Sequence, residues 1–366
     1  MSEQLDVSEI PPLRLRPYLD PKPWGGFKLA ALGLAVLPDQ RIGEALATAS
    51  AAIVADGPFA ERSLGAVVTA SPFAMCGPLG LAVTGGRSLF PLLIKLIDAA
   101  DDLSIQVHPP DPQAPPGHLG KTEVYHVLEA EPGARIALGL APGVSAELFA
   151  AACRAGDSTT ELLRWLPARS LETILIPAGT VHALGAGCFI YEAQQPSDVT
   201  YRVDDWHRRN GAGHRRPLHV EPALAVFDPS SRPSPIPPLA LPSLAGRRLL
   251  VAACRHFALE RIELAAGESV TITAFGGPQA VTCLNGAMTL RARGGEISLT
   301  AAETGILAAG TGTGWLHTSA ETVALRAWVP DLLREIVTPA REAGYADAAI
   351  AALAGPLPDI TLVMAT

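Results

Sequence analysis

The chain has 366 residues, 48% of them apolar, and a net charge of −8 at neutral pH. That length allows two or three domains with cores of their own, and that composition excludes a disordered chain. The acidic balance, with no stripe of Lys and Arg, excludes a nucleic-acid surface but not a small anionic substrate, which needs only a few local cations.

The 34 glycines and 33 prolines are scattered, which suits a turn-rich β protein. Five cysteines lie far apart with no CxxC pair, so neither a disulfide framework nor a thiolate zinc site is expected. The opening MSEQLDVSEI lacks the basic and apolar regions of a leader. The apolar stretches near 29–37 and 89–100 are interrupted by charge, Gly or Pro and fall short of a membrane span. A cytoplasmic protein with no membrane partner is expected. Nothing in the sequence sets an oligomeric state.

In chain order, residues 11–24 carry five prolines and end in Lys22-Pro23-Trp24, an irregular entry segment. Residues 42–56 and 64–75 are short mixed runs. The run LFPLLIKLID (89–98) reads as a buried strand with a lysine in its middle, and Lys95 either snorkels to an edge or points into a cavity. Next, Leu103, Ile105 and Val107 alternate with Ser104, Gln106 and His108, so Gln106 and His108 share one face of a strand. After a proline-rich loop, Lys121, Glu123 and Tyr125 alternate with Thr122, Val124 and His126, again at β spacing.

Residues 145–166 change character. Ser145, Leu148, Phe149 and Ala152 have helical spacing, as do Thr159, Leu162, Leu163 and Leu166, so two short helices are predicted. An apolar run at 174–176 leads through the turn Pro177-Ala178-Gly179 to His182. A second run, 188–191, leads into a polar block holding Glu192, Gln194, Gln195, Asp198 and Arg202. The Pro/Ser-rich stretch 228–242 reads as a linker or extended crossing. From 256 to 329 short strands return at regular spacing, a second β-sandwich with the rhythm of the first. It contains only His256 and His317 and no comparable polar cluster, which favours a structural or dimer-forming role. The expected fold is therefore mainly β: two β-barrels or sandwiches with a small helical insert. The first takes residues 1–140 and 170–227, around an insert at 141–169. A Pro-rich crossing at 228–255 leads to the second, 256–330, and a tail at 331–366 follows.

Four groups stand out as possible metal ligands: Gln106, His108, Glu123 and His182. Two imidazoles and one carboxylate are the ligand types of open catalytic zinc sites. A neutral amide in place of a second acid leaves the ion a residual positive charge and sharpens it as a Lewis acid. Against this stands the ordinary fate of a histidine, and nine occur in the chain. His118, His126, His207, His214 and His219 read as loop, strand or hydrogen-bonding residues, and Trp206 as a core aromatic.

The stretches SIQVHP (104–109), LGKTEVYHVL (119–128), IPAGTVHALG (176–185) and EAQQPSDVTYRVDDWHR (192–208) resemble the defining segments of type I mannose-6-phosphate isomerases. FPLLIKLIDA (90–99), KPWGG (22–26) and RPLHVE (216–221) match flanking patterns of that family. The resemblance implies a zinc enzyme built on cupin (jelly-roll) barrels that interconverts mannose 6-phosphate and fructose 6-phosphate, with one Zn2+ per chain on Gln106, His108, Glu123 and His182. It places further active-site positions on Lys121, Glu192, Asp198, Arg202 and Arg208. Two departures appear: the family's Gly-Glu-x-Trp-Glu reads Gly43-Glu44-Ala45-Leu46-Ala47 here, and its Trp-Tyr after the metal glutamate reads Tyr125-His126.

Moving a carbonyl between C1 and C2 requires removing a carbon-bound proton and returning it to the neighbour through an enediol. Arg202 and the metal are expected to stabilise the charge developing on oxygen. Glu192, Asp198 and a metal-bound water are the candidate bases. Lys121 is expected to shuttle protons or hold a hydroxyl; its alternative is a surface ion pair. Arg208, with Lys95 and Ser104, is expected to bind the 6-phosphate; alternatively Arg208, Arg209, Arg215 and Arg216 form a solvated basic loop. Two rival readings remain: a non-catalytic cupin that binds a sugar phosphate, and an isomerase of a different sugar phosphate. Manganese, iron, cobalt and nickel accept the same ligand types as zinc.

Overall fold

Runs of period-two alternation give strands here because one face of each is buried and the other meets a second layer. In the computed structural model, which describes residues 10–37, 39–209 and 213–365, these strands collect into four sheets. The reading of a leaderless opening falls on residues 1–9, outside the described residues. Among the described residues no single helix is long and apolar enough to cross a membrane.

The first barrel closes between a six-stranded and a five-stranded sheet. The six-stranded sheet runs Thr173–Ile176, Glu123–Ala130, Cys188–Gln194, Leu93–Ala99, Glu44–Leu46, Tyr18–Asp20. The five-stranded sheet runs Tyr201–Asp204, Ile105–Val107, His182–Leu184, Arg135–Leu140, Leu163–Pro167. Between them Ile97, Tyr125, Ile136, Leu138, Ile174 and Ile190 pack as one core.

Alternation then sorts the six-stranded sheet. Ile94, Leu96, Val124, Phe189 and Tyr191 face away, into a larger core shared with the second barrel. Their neighbours Lys95, Glu123 and Glu192 must therefore point into the first barrel. A lysine in an apolar run is thus explained by its cavity.

The second barrel pairs an eight-stranded sheet with a four-stranded one around Ile262, Val281, Leu290 and Leu316. Leu239–Leu241 and Arg247–Ala253 are two of its strands, so the stretch expected as a crossing is partly sheet. Leu13–Arg16 also joins it, pairing with Thr304–Leu307. Residues of the tail form short helices, among them Asp347–Ala351 and Asp359–Met364.

Only one of the two predicted helices in 145–166 forms. Ala146–Ala155 is capped by Ser145, whose side chain accepts from the Leu148 N–H, and ended by left-handed Gly156. The second stretch makes a single 3-10 turn at Thr160–Leu162 and then a strand, Leu163–Pro167, paired with Arg135–Leu140. Leu162, Leu163 and Leu166 fit either period over so short a run, and the open edge of the sheet selects the strand.

Candidate metal centre and cavity

Ile105 and Val107 pack under helical residues Phe149 and Ala223, which turns Gln106 inward. The register sets Gln106 beside His182 on one side and Arg202 on the other. The Pro-Ala-Gly turn delivers His182: Gly179 holds φ +88° and its N–H donates to the His108 carbonyl at 2.7 Å. A side chain at Gly179 would be strained at that φ and would approach the Val226 carbonyl at 3.1 Å. Glu123 arrives from the opposite sheet.

The three groups converge. Ligand atoms of His108, Glu123 and His182 lie within 4.8 Å of one another, all buried. His182 Nε2 is 3.0 Å from Glu123 Oε1, and His108 Nε2 is 3.5 Å from Oε2. The Gln106 amide nitrogen lies 3.2 Å from His182 Nε2. A half-turn of that amide presents its oxygen, the atom able to act as a ligand.

The surroundings fit a divalent cation. His108 Nδ1 donates to the Val199 carbonyl at 2.8 Å and His182 Nδ1 to the Thr180 carbonyl at 3.0 Å. Each bond fixes the tautomer that leaves the Nε2 lone pair facing the centre. Both Glu123 oxygens are buried without a hydrogen-bond partner among the described residues; only ion-pair contacts reach them. The Lys121 ammonium, 2.9 Å from Glu123 Oε2 and 3.1 Å from His108 Nε2, is the positive charge these acceptors now share. Burial and then Lys121 hold His108 well below its ordinary pKa, so it stays neutral, as a metal ligand must. Burial alone would raise the Glu123 carboxyl, yet the Lys121 ammonium foremost holds it well below the usual range.

Gln106 and Lys121, which contact His182 and Glu123, line a cavity of about 370 Å³, within the roughly 300–1,000 Å³ of small-molecule sites. Lys95 Nζ lies 2.9 Å from Glu192 and 3.7 Å from Glu44. Burial, and behind it the Glu123 charge, raises the Glu192 carboxyl despite Lys95. Lys95 itself is held protonated by Glu192 and Glu44 against the pull of burial. Ser104 and Arg202 line the cavity too, and the buried Arg202 Nε has no hydrogen-bond partner among the described residues.

Two expected positions stand apart. Asp198 is at the rim, its side chain 88% exposed and 3.5 Å from His118. Arg208 does not line the cavity: it donates to Asp205 Oδ1 at 2.6 Å and to the Asp102 carbonyl. Arg216, which shares Asp205 with it, does line the wall, so the basic loop is partly built into the site.

Lys22, Trp24, Glu44, Arg216 and His219 also line the cavity and were not singled out as site residues by sequence reasoning. The KPWGG and Gly43-Glu44 patterns held the signal for the first three. RPLHVE (216–221) held the signal for Arg216 and His219, and the Arg202 N–H approaches His219 Nδ1 at 3.3 Å.

Residues 13–145 match the family model "Phosphomannose isomerase type I, catalytic domain". A Bacillus subtilis (strain 168) protein named "Probable mannose-6-phosphate isomerase GmuF" is 39% identical over 224 residues, 59% of this chain and 68% of that relative. "Mannose-6-phosphate isomerase ManA" of the same organism is 35% identical over 229 residues, 61% of this chain and 70% of its own. A crystal structure of a mannose 6-phosphate isomerase from Bacillus subtilis superposes with TM-score 0.75 at 25% identity, covering 87% of this chain and 99% of that one.

Proposed function

The chain belongs to the type I mannose-6-phosphate isomerase family, and on that premise we propose that it is a zinc-dependent aldose–ketose isomerase interconverting mannose 6-phosphate and fructose 6-phosphate. The observation that carries the reading is the convergence of His108, Glu123 and His182, with Gln106 beside them and itself lining a cation-rich cavity. Catalysis belongs to the first barrel in this reading, and the protein acts in the cytoplasm on a small molecule.

Gln106, His108, Glu123 and His182 would hold the ion, which supplies Lewis acidity to the sugar oxygens when bound. Glu192 is the base. It is 1% exposed, lines the cavity and has a raised pKa, which suits a proton acceptor working near neutrality, whereas exposed Asp198 is screened by water. Glu192 takes the proton from C2 of the aldose and returns it to C1, the intervening enediol carrying its charge on oxygen. Arg202, with no carboxylate partner of its own among the described residues, faces that charge. Lys121 passes a proton between the two sugar oxygens.

For the phosphate, Arg216, Lys95 and Ser104 are groups on the wall. Arg208 acts behind them, bracing the Asp205 that orients Arg216. Initial rates on mannose 6-phosphate, glucose 6-phosphate and unphosphorylated mannose test the substrate. Mannose 6-phosphate is expected to exceed unphosphorylated mannose in kcat/KM by at least on the order of 10²-fold, since charge-assisted hydrogen bonds from the wall reach only the phosphorylated sugar. Equal turnover of mannose with and without phosphate would remove the sugar-phosphate reading.

A further inference from the structure

The second barrel has a mouth of its own, and it is not apolar. Glu260 and Arg326 lie two residues along their strands from Ile262 and Ala324, which face that barrel's core, so both point into it. They are direct cross-strand partners, as Lys95 and Glu192 are in the first barrel. Glu260 is 0% and Arg326 3% exposed. Arg248 closes a triad, with both its Nε and Nη2 on the Glu260 carboxylate at 2.6 and 2.9 Å. Arg326 reaches the same carboxylate at 3.2 Å and Gln279 at 2.7 Å. Well-packed apolar residues would stabilise a barrel as well as such a buried ion triad does.

The triad instead lines a cavity of about 440 Å³, with Phe275, Trp328, Arg334 and Glu335 among its walls. The Arg334 guanidinium lies 3.5 Å over the Phe275 ring and makes no ion pair among the described residues. Two buried polar atoms of the lining, Trp328 Nε1 and Glu335 Oε1, have no hydrogen-bond partner among the described residues. One is a donor and the other an acceptor, the two roles that sugar hydroxyls can fill.

Charge separates the two cavities. The first sets Lys22, Lys95, Lys121, Arg202 and Arg216 against Glu44, Glu192 and Asp198, an excess of cations suited to a phosphate. In the second, Arg248, Arg326 and Arg334 balance Glu260, Glu335 and Glu342. We propose that the mouth of the second barrel is a binding site for an uncharged sugar, held by charged groups on its hydroxyls and by the exposed Phe275 ring on its apolar face. This site stands apart from the catalytic reading and shares no residue with it.

Calorimetric titration and saturation-transfer NMR of the full chain with D-mannose, D-fructose and inorganic phosphate test it. At least one hexose should bind, undisplaced by phosphate and retained in His108→Ala. Arg334→Ala, at an exposed position, and the isosteric Glu335→Gln should each weaken that binding about tenfold, the weight of one hydrogen bond to a charged group, with the isomerase rate unchanged. Absence of hexose binding, displacement by phosphate, or binding that both variants leave intact would each overturn the proposal.

Discussion

His108→Ala and His182→Ala are each expected to release the metal and to lower kcat/KM by on the order of 10³-fold or more. Either change leaves the buried Glu123 carboxylate facing one imidazole and an amide, too few donors to hold a divalent ion in an open site. Each imidazole is also fixed from behind, by the Val199 and Thr180 carbonyls, an orientation that an alanine cannot supply. The fold should survive, because Lys121 remains 2.9 Å from Glu123 and offsets its charge. Elemental analysis beside far-ultraviolet circular dichroism checks this. Metal and rate retained in both variants would take these histidines out of the centre.

Glu192→Gln is expected to keep its metal and lose kcat by about 10²–10⁴-fold, the range of one positioned base. The pH profile carries the sharper signature. Burial raises the Glu192 carboxyl, so the ionised base is fully present well above that raised pKa and is lost as pH falls through it. The acid limb of kcat/KM should therefore lie above the ordinary carboxylate value of about 4.3. Lys95 pulls the Glu192 pKa down, so Lys95→Ala should move the limb to still higher pH. A limb unmoved by Lys95→Ala would detach it from Glu192.

The convergence of the candidate ligands was legible because strand alternation is a two-residue rule. It fixes which side Gln106, Glu123 and Glu192 face once their apolar neighbours are assigned to a core. His182 was legible through a turn that only glycine at 179 accommodates. What stayed hidden depends on contacts between distant segments. Arg216 looks like any member of a basic loop until Asp205 orients it. Leu13–Arg16 pairs with Thr304–Leu307, and no local pattern announces such a pairing. The second cavity escaped for a subtler reason. Glu260 and Arg326 are single charges in strand-like runs, and only the assignment of Ile262 and Ala324 to the barrel core shows that both turn inward.

The most direct test follows conversion of mannose 6-phosphate by the full chain before and after exhaustive chelation. Activity is expected to vanish with the ion and to return when about one equivalent of zinc per chain is restored. A stripped protein that isomerises at its original rate would contradict the account at its centre.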